Sequence, residues 1–201
     1  MRPDEVTVAG IGGSTRPGSS TETALRAVLA EAERLGARTL CLTAGDLVLP
    51  PYESGGVRGP RQRRLVEAMA GATALVLASP AYHGTMSGLV KNALDYAEDL
   101  REHPAPYFSG RPVGLLAVAR GAQGAASALA SLRSTVHALR GWPTPLGVTV
   151  DTSRACFGPD GRCLDPRLQH HFTALAEQLV GFARHTSAIP ACEVGTQPAR
   201  A

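Results

Sequence analysis

The sequence predicts an α/β protein built on an open sheet of five parallel strands with helices on both faces. Apolar runs and helix-like stretches alternate along the chain, so that strand and helix follow each other five times. The runs are nearly continuous in apolar residues, as in strands buried on both faces. They lie at 6–11, 37–42, 74–79, 113–119 and 146–150. Five strands favour the flavodoxin-like order 2-1-3-4-5 over the six-stranded dinucleotide-binding fold.

Helical spacing of apolar residues identifies the segments between these runs as helices. The first is expected at 21–35, where Gly36 would end it as a C-cap. The others are expected at 61–70, 87–100, 125–139 and 166–184. Ligands of such sheets bind at the carboxyl ends of the strands. A site is therefore expected where three loops meet, those at 12–20, 79–86 and 119–124.

The size and composition indicate one domain. The chain has 201 residues, of which 44% are apolar and 18% charged, and its formal net charge is +3. We expect a single domain at 1–189 and a loose C-terminal tail at 190–201. Nucleic acids and anionic membranes are bound by clustered basic charge, so this small net charge gives no reason to expect either partner.

The cysteines and the first residues indicate a reducing compartment. Cys41, Cys156, Cys163 and Cys192 show no CxxC spacing and no accompanying histidine pattern that would bind a metal. The segment "MRPDEVTV" lacks the apolar core of a signal peptide, and no run reaches the roughly 18 apolar residues that span a bilayer. We therefore expect reduced thiols in a cytoplasmic protein. A bridge between Cys156 and Cys163 is the alternative for that pair.

The loop after the first strand, in "VAGIGGSTRPGSSTETALRAVLAEAERLG", nearly matches two phosphate-binding motifs and fails both. A dinucleotide motif GxGxxG that begins at Gly10 finds Thr15 where the third glycine belongs. A P-loop GxxxxGK[ST] that begins at Gly13 finds Ser19 in place of the lysine, which argues against nucleoside triphosphate chemistry.

Hydroxyl groups and one guanidinium dominate this loop. Arg16 can donate to two phosphate oxygens at once, and the following helix adds backbone N–H groups. The potential O–H donors are Ser14, Thr15, Ser19, Ser20 and Thr21. This composition predicts a site for a monophosphate that needs no magnesium. An ordinary N-capped helix after a glycine turn is the alternative, because serine and threonine also cap helices.

The stretch "GSTRPGSST" resembles the GSxRxxSxN loop of the NAD(P)H-dependent FMN reductases, a flavodoxin-like family that includes quinone, azo-dye and chromate reductases. The resemblance implies that this loop binds the FMN phosphate. It places Ser14, Arg16, Ser19 and Thr21 on that phosphate, with Thr21 standing where the family often has asparagine. Ser20 falls at a variable position of the motif and is a further candidate contact.

The stretch "SPAYHGTMSGLVKNALDYAED" is similar to the family's second motif, roughly SPxYxGxxxGxLKNAxD. From the residues alone, Pro80 should end the third strand and Gly84 should let the backbone approach a ligand closely. The amides from Ala81 to Gly84 are expected to meet the carbonyl and N5 edge of an isoalloxazine ring, with the flat face of Tyr82 beside it. A turn in which Tyr82 only packs is the alternative. We interpret His83 as a ring contact rather than a catalytic base.

The stretch "ARGAQGA" closes the fourth strand, where the family has a glycine-rich loop that lines the flavin edge. The resemblance carries this role to Arg120, Gly121, Gln123 and Gly124, which match in character more than in letters. It covers about residues 6–150 and the last helix. It implies FMN as cofactor, NADPH or NADH as co-substrate, no metal, and flavin N5 rather than a protein side chain as the reacting group.

The implied function is transfer of hydride from NAD(P)H through FMN to free flavin, a quinone or a similar small acceptor. The same scaffold can instead serve as a flavin-binding electron carrier or regulatory partner without NAD(P)H turnover, or as a specialised flavoenzyme of a biosynthetic pathway. Electron-transfer flavodoxins are usually strongly acidic, and the slight basicity of this chain argues against that class.

The resemblance also implies partners. It suggests a homodimer or homotetramer, with a flavin-dependent monooxygenase as one conceivable recipient of reduced FMN. The apolar stripe of Met86, Leu89, Ala93 and Leu100 fits either an interface between subunits or ordinary core. The basic run "RGPRQRR", from Arg58 to Arg64, is interpreted as a solvated loop and helix start, with a site for an anionic substrate or the NADPH phosphate as the alternative.

Overall fold

The computed structural model describes residues 5–187, which form a three-layer α/β structure. The strands are β1 Thr7–Gly12, β2 Arg38–Leu42, β3 Ala74–Tyr82, β4 Thr85–Met86, β5 Pro112–Ala119 and β6 Trp142–Asp151. The helices are α1 Ser20–Arg34, α2 Ala44–Leu47, α3 Pro60–Gly71, α4 Gly88–Asp95, α5 Ala122–Ala138 and α6 Pro166–Ser187. A 3₁₀ turn, Tyr96–Leu100, follows α4 directly.

The sheet has the predicted topology. Its strand order is β2-β1-β3-β5-β6, with every pair parallel. The short β4 lies off this path and pairs only with the end of β3, in antiparallel register. The five parallel strands, numbered without β4, therefore follow 2-1-3-4-5, and the flavodoxin-like expectation is confirmed. The switch point lies between β1 and β3, where ligands of such sheets bind.

Two apolar layers cover the two faces of the sheet, as the unbroken apolar strands predicted. On one face the core joins α1 and α6 through side chains such as Leu25 and Phe172. On the other it joins α3, α4 and α5 through side chains such as Met69, Val90 and Leu132. Each of these five side chains is 1% exposed or less.

The apolar stripe beside the second loop belongs to this second layer. Met86, Ala93 and Leu100 are buried within the chain, and Leu89 packs against them at the margin. The stripe is therefore part of the ordinary core, which was one of its two interpretations.

Three element boundaries differ from the sequence expectation. Pro80 does not end its strand, because β3 continues to Tyr82, where the backbone pairs with β4. β6 begins at Trp142, although Pro143 and Pro145 cannot donate to a ladder; it is an edge strand, where proline is tolerated. Its register against β5 shifts between Val113 and Leu115. The helix expected at 87–100 tightens into a 3₁₀ turn after Asp95.

The described cysteines are free thiols. Cys41, Cys156 and Cys163 each lie half-buried without a disulfide, so the bridged alternative for the last two is not formed. Cys192 and the tail at 190–201 lie outside the described residues. No helix within 5–187 is long and apolar enough to cross a membrane.

Candidate functional site

The loop between β1 and α1 combines a helix cap with unused donors. Ser19 is the N-cap of α1, and its hydroxyl accepts a hydrogen bond from the Glu22 N–H at 3.3 Å. Gly18 has φ +66° and donates its N–H to Glu22 Oε2 at 3.0 Å. Ser19 therefore caps the helix, as the alternative interpretation of this loop predicted. Glu22 itself is occupied by Gly18 and by an ion pair with Arg26 at 2.7 Å.

Several other donors of this loop have no protein acceptor. Among the described residues, the backbone N–H groups of Ser20 and Thr21 make no hydrogen bond. Thr21 is 3% exposed, and its hydroxyl has no partner either. Arg16 is exposed and forms no ion pair with residues 5–187. N–H, O–H and guanidinium donors at a helix N-terminus fit a phosphate monoester.

The start of this loop is shaped by close approach to α4. A Cβ on Gly13 would lie 1.8 Å from Val90 Cγ2, so only glycine fits there. The Gly13 N–H donates to the Ala78 carbonyl at 2.7 Å, which fixes the loop against the end of β3.

The second loop is a two-residue hairpin between β3 and β4. His83 has φ +50° and Gly84 φ +83°, the left-handed pair that a type I′ turn requires. Tyr82 is 55% exposed, and Ala81 is half-buried. The N–H groups of His83 and Gly84 have no acceptor in the described structure. Pro80 lies buried just before the hairpin, where β3 still pairs with β5 through Val118.

Two buried serines join the first and second loops, and sequence reasoning missed both roles. The Ser87 hydroxyl donates to the Gly13 carbonyl at 3.1 Å, and the Ser87 N–H donates to Ser79 Oγ at 2.8 Å. The Ser79 hydroxyl in turn donates to the Pro80 carbonyl at 2.8 Å. The pattern "SPAYHGTMS" contains both serines, but nothing in it shows that they meet in space.

The third loop is held by an aspartate that the sequence did not reveal. Gly121 has φ +107° and donates its N–H to Asp151 Oδ1 at 2.9 Å, which also accepts from the Ser153 N–H at 2.9 Å. These donors hold the pKa of the Asp151 carboxyl below its usual value, with Ser153 making the largest contribution. Arg120 and Gln123 are exposed, and a Cβ on Gly124 would lie 4.0 Å from the Ala81 Cβ. The second and third loops are therefore neighbours.

A fourth loop, at 152–165 between β6 and α6, was not expected at the site. A Cβ on Gly161 would lie 3.7 Å from Thr23 Cγ2, which places this loop against the first turns of α1. An isolated antiparallel bridge between Phe157 and Cys163 stiffens it.

Two other charged groups turn out to be structural. In the basic run, Arg64 is 57% exposed and pairs with Asp46 at 3.0 Å, whereas the side chain of Arg58 is only 16% exposed and pairs with Asp99 at 2.6 Å, so the solvated interpretation does not hold for Arg58. No group of three or more potential metal ligands occurs in the described part of the chain.

An open parallel α/β sheet whose carboxyl-edge loops present unpaired N–H and O–H donors is the architecture of a flavodoxin-like nucleotide-binding protein. Comparison with known proteins narrows this class. The family model for the NADPH-dependent FMN reductases matches residues 6–154. The chain belongs to this family, which confirms the resemblance found in the sequence. The protein is therefore an oxidoreductase that uses FMN with a nicotinamide co-substrate.

Individual relatives agree. An NAD(P)H-dependent FMN reductase of Pseudomonas aeruginosa is 32% identical over 169 residues, covering 82% of this chain and 88% of the relative. An FMN-dependent NADPH-azoreductase of Staphylococcus aureus is 31% identical over 124 residues, covering 61% of this chain and 62% of the relative. The flavoenzyme NAD(P)H:acceptor oxidoreductase FerB of Paracoccus denitrificans superposes with a TM-score of 0.68 at 22% identity, covering 90% of this chain and 98% of that one. The last comparison shows a shared fold.

Proposed function

We propose that this protein binds FMN with its phosphate on the loop between β1 and α1 and its ring between the second and third loops. The observation that supports this most is the set of donors without a protein acceptor: the N–H groups of Ser20 and Thr21, the Thr21 hydroxyl and the Arg16 guanidinium. Ser14 and the Ser19 hydroxyl complete the phosphate contacts, since each hydroxyl oxygen accepts only one weak backbone bond of about 3.3 Å.

The second and third loops then hold the ring. The free N–H groups of His83 and Gly84 would hold the ring at its electron-accepting edge and would stabilise negative charge there as an oxyanion hole does. Gly121 and Gly124 leave room for the opposite edge, and Arg120 adds positive charge nearby. When bound, FMN supplies the redox chemistry by accepting two electrons from NAD(P)H and passing them to the acceptor.

No side chain needs to act as an acid or base. His83 lies exposed at the hairpin tip, where it would contact the ring or a substrate. The exposed surface beside Tyr82 would leave room for NAD(P)H and for a small electron acceptor such as free flavin or a quinone. A flavin-dependent monooxygenase that receives reduced FMN is a further partner consistent with this chemistry. The free thiols are those expected in the reducing cytoplasm, where we place the protein.

The first test is the visible spectrum of the purified protein after addition of FMN and desalting. We expect a retained flavin band that is lost in Arg16→Ala and kept in Arg61→Ala, a matched removal of an exposed arginine on α3. NADPH oxidation with quinone or free FMN as acceptor follows. Flavin binding without NAD(P)H oxidation would assign the protein to the electron carriers or regulators, and failure to retain flavin would remove the proposed site.

We also propose that the protein works as a homodimer or homotetramer. A groove of about 420 Å³ opens between the hairpin and helices α4 and α5, with Tyr82 and His83 at one end. It continues past Lys91 and Thr135 into a second hollow of about 510 Å³. A second copy seated there would cover the exposed hairpin. Light scattering coupled to size exclusion tests this, and the mass of a single chain at micromolar concentration would contradict it.

A further inference from the structure

A separate cavity, distinct from the groove beside the hairpin, lies at the carboxyl end of β6 next to the third loop. Its volume is about 370 Å³, which falls within the roughly 300–1,000 Å³ of small-molecule sites. It is formed by the end of β6, the fourth loop and the first turn of α6. The polar side chains that line it are Thr149, Asp151, Arg154, Asp165, Arg167 and His171.

This cavity has more hydrogen-bond donors than its own acceptors use. One oxygen of each carboxylate in the cavity accepts hydrogen bonds from backbone amides. Asp151 Oδ1 accepts from the N–H groups of Gly121 and Ser153. Asp165 Oδ1 accepts from those of Arg167 and Leu168, at 2.8 and 3.4 Å. The two carboxylates offset the formal charge of Arg154 and Arg167. However, neither guanidinium forms an ion pair or a side-chain hydrogen bond within residues 5–187.

The cavity is close to the proposed flavin site. Asp151 forms part of its wall and at the same time holds Gly121, the glycine of the third loop, through the 2.9 Å bond. β6 is the next strand after β5, and neighbouring strands lie about 4.8 Å apart. A nicotinamide ring stacked on the flavin would leave the rest of its dinucleotide to extend over this edge of the sheet.

We propose that this cavity binds the 2′-phosphate of NADPH through Arg154 and Arg167, and so selects NADPH over NADH. The inference rests on the proposed function, since it needs the nicotinamide to lie on the flavin. A phosphate monoester carries about −1.5 to −2 charges at pH 7. Two guanidinium groups with free N–H donors match such a group better than either phosphate of the pyrophosphate, each of which carries a single negative charge. His171 adds a third polar contact.

Direct binding to the FMN-loaded protein is the first test. Calorimetric titration should show that 2′,5′-ADP binds about tenfold or more tightly than 5′-AMP, the gain expected from charge-assisted hydrogen bonds. This preference should disappear in Arg154→Gln/Arg167→Gln and persist in Arg61→Gln, which removes an exposed arginine on α3. Equal binding of the two nucleotides by the unmodified protein, or an undiminished preference in the double variant, would overturn the proposal.

Steady-state kinetics distinguish binding of the 2′-phosphate from binding of the pyrophosphate that NADPH and NADH share. In the double variant we expect the KM for NADPH to rise about tenfold while the KM for NADH and kcat stay within about twofold. An equal rise for both nucleotides would assign the cavity to the shared pyrophosphate, and a rise only for a sulfonated azo acceptor would assign it to the acceptor; either result contradicts the proposal. If the unmodified enzyme oxidises neither nucleotide, the proposed function fails, whereas the 2′,5′-ADP titration still tests the cavity.

Discussion

At the scale of single residues, Thr21 is the most informative position of the proposed phosphate loop, the segment between β1 and α1. Its side chain is 3% exposed, yet its hydroxyl has no hydrogen-bond partner in the described structure. Thr21→Val keeps the shape and removes only the hydroxyl. We expect the protein to fold normally and its Kd for FMN to rise about tenfold, the effect of losing one hydrogen bond to a charged group.

Fluorescence titration of FMN measures this change. Thr21→Ser is the matched control, because it keeps the hydroxyl and should bind FMN nearly as well as the unmodified protein. A valine variant with unchanged affinity would show that Thr21 serves only the packing of α1.

Ser87 carries a second prediction at this scale. Its hydroxyl donates to the Gly13 carbonyl and accepts from the Val90 N–H at 3.3 Å, so it caps α4 and holds the phosphate loop together. Ser87→Ala should lower the free energy of unfolding by about 1–2 kcal/mol and weaken FMN binding as well. Urea denaturation measures the first effect, with Ser127→Ala on the exposed side of α5 as control. Unchanged stability would mean that water replaces the serine without cost.

At the scale of secondary-structure elements, the contact between the phosphate loop and α4 depends on one glycine. A Cβ on Gly13 would lie 1.8 Å from Val90 Cγ2, well inside van der Waals contact. Gly13→Ala should therefore displace the loop or the helix, lower the melting temperature and abolish retention of FMN. The double variant Gly13→Ala/Val90→Ala removes the opposing methyl group and should recover part of the flavin binding that the single variant loses.

Thermal unfolding and flavin retention of the three variants test this together. Val90→Ala alone should be destabilised by roughly 2–4 kcal/mol as a core truncation, and should still bind FMN. A single Gly13→Ala variant that retains FMN normally would refute the requirement for glycine.

The elements also show which parts of the site a sequence can predict. The apolar runs are local, and they located the five parallel strands and the loops at their carboxyl ends correctly along the chain, whereas the hairpin after β3 was not expected. The bond from Ser87 to Gly13 joins residues 74 positions apart, and the bond from Gly121 to Asp151 joins residues 30 apart. No local pattern encodes such pairs, because each exists only once the parallel strands bring their carboxyl ends to one edge. The expectation that Pro80 ends its strand was wrong for a related reason, because pairing with β4 extends β3 to Tyr82.

At the scale of the whole molecule, the carboxyl edge of the sheet is one connected surface. The first loop is bonded to β3 through Gly13 and Ala78, the second and third loops meet at Ala81 and Gly124, and the fourth loop contacts α1 at Thr23. Flavin binding should therefore stabilise the entire domain rather than one loop, by an amount that grows with the logarithm of FMN concentration.

The bond between Asp151 and Gly121 makes part of this surface sensitive to acid. The pKa of the Asp151 carboxyl lies below its usual value of about 3.9 in the folded protein, chiefly because of the Ser153 N–H. A group whose pKa falls on folding stabilises the native state fully above its unfolded pKa, and this stabilisation is lost as pH falls through the folded pKa. Between pH 5 and 7 the contribution is therefore constant, and it should fade below about pH 4.

Asp151→Asn isolates this contribution, because the amide keeps an oxygen for the Gly121 N–H but cannot ionise. We expect the variant to be less stable than the unmodified protein at pH 6, and the two unfolding midpoints to approach each other as the pH falls below about 4. Urea titrations at several pH values measure the difference. A gap that stays constant down to pH 3 would mean that the carboxylate charge contributes nothing and that the third loop is held by the backbone bond alone. Convergence would instead show that one ionised side chain at the end of β6 fixes the third loop.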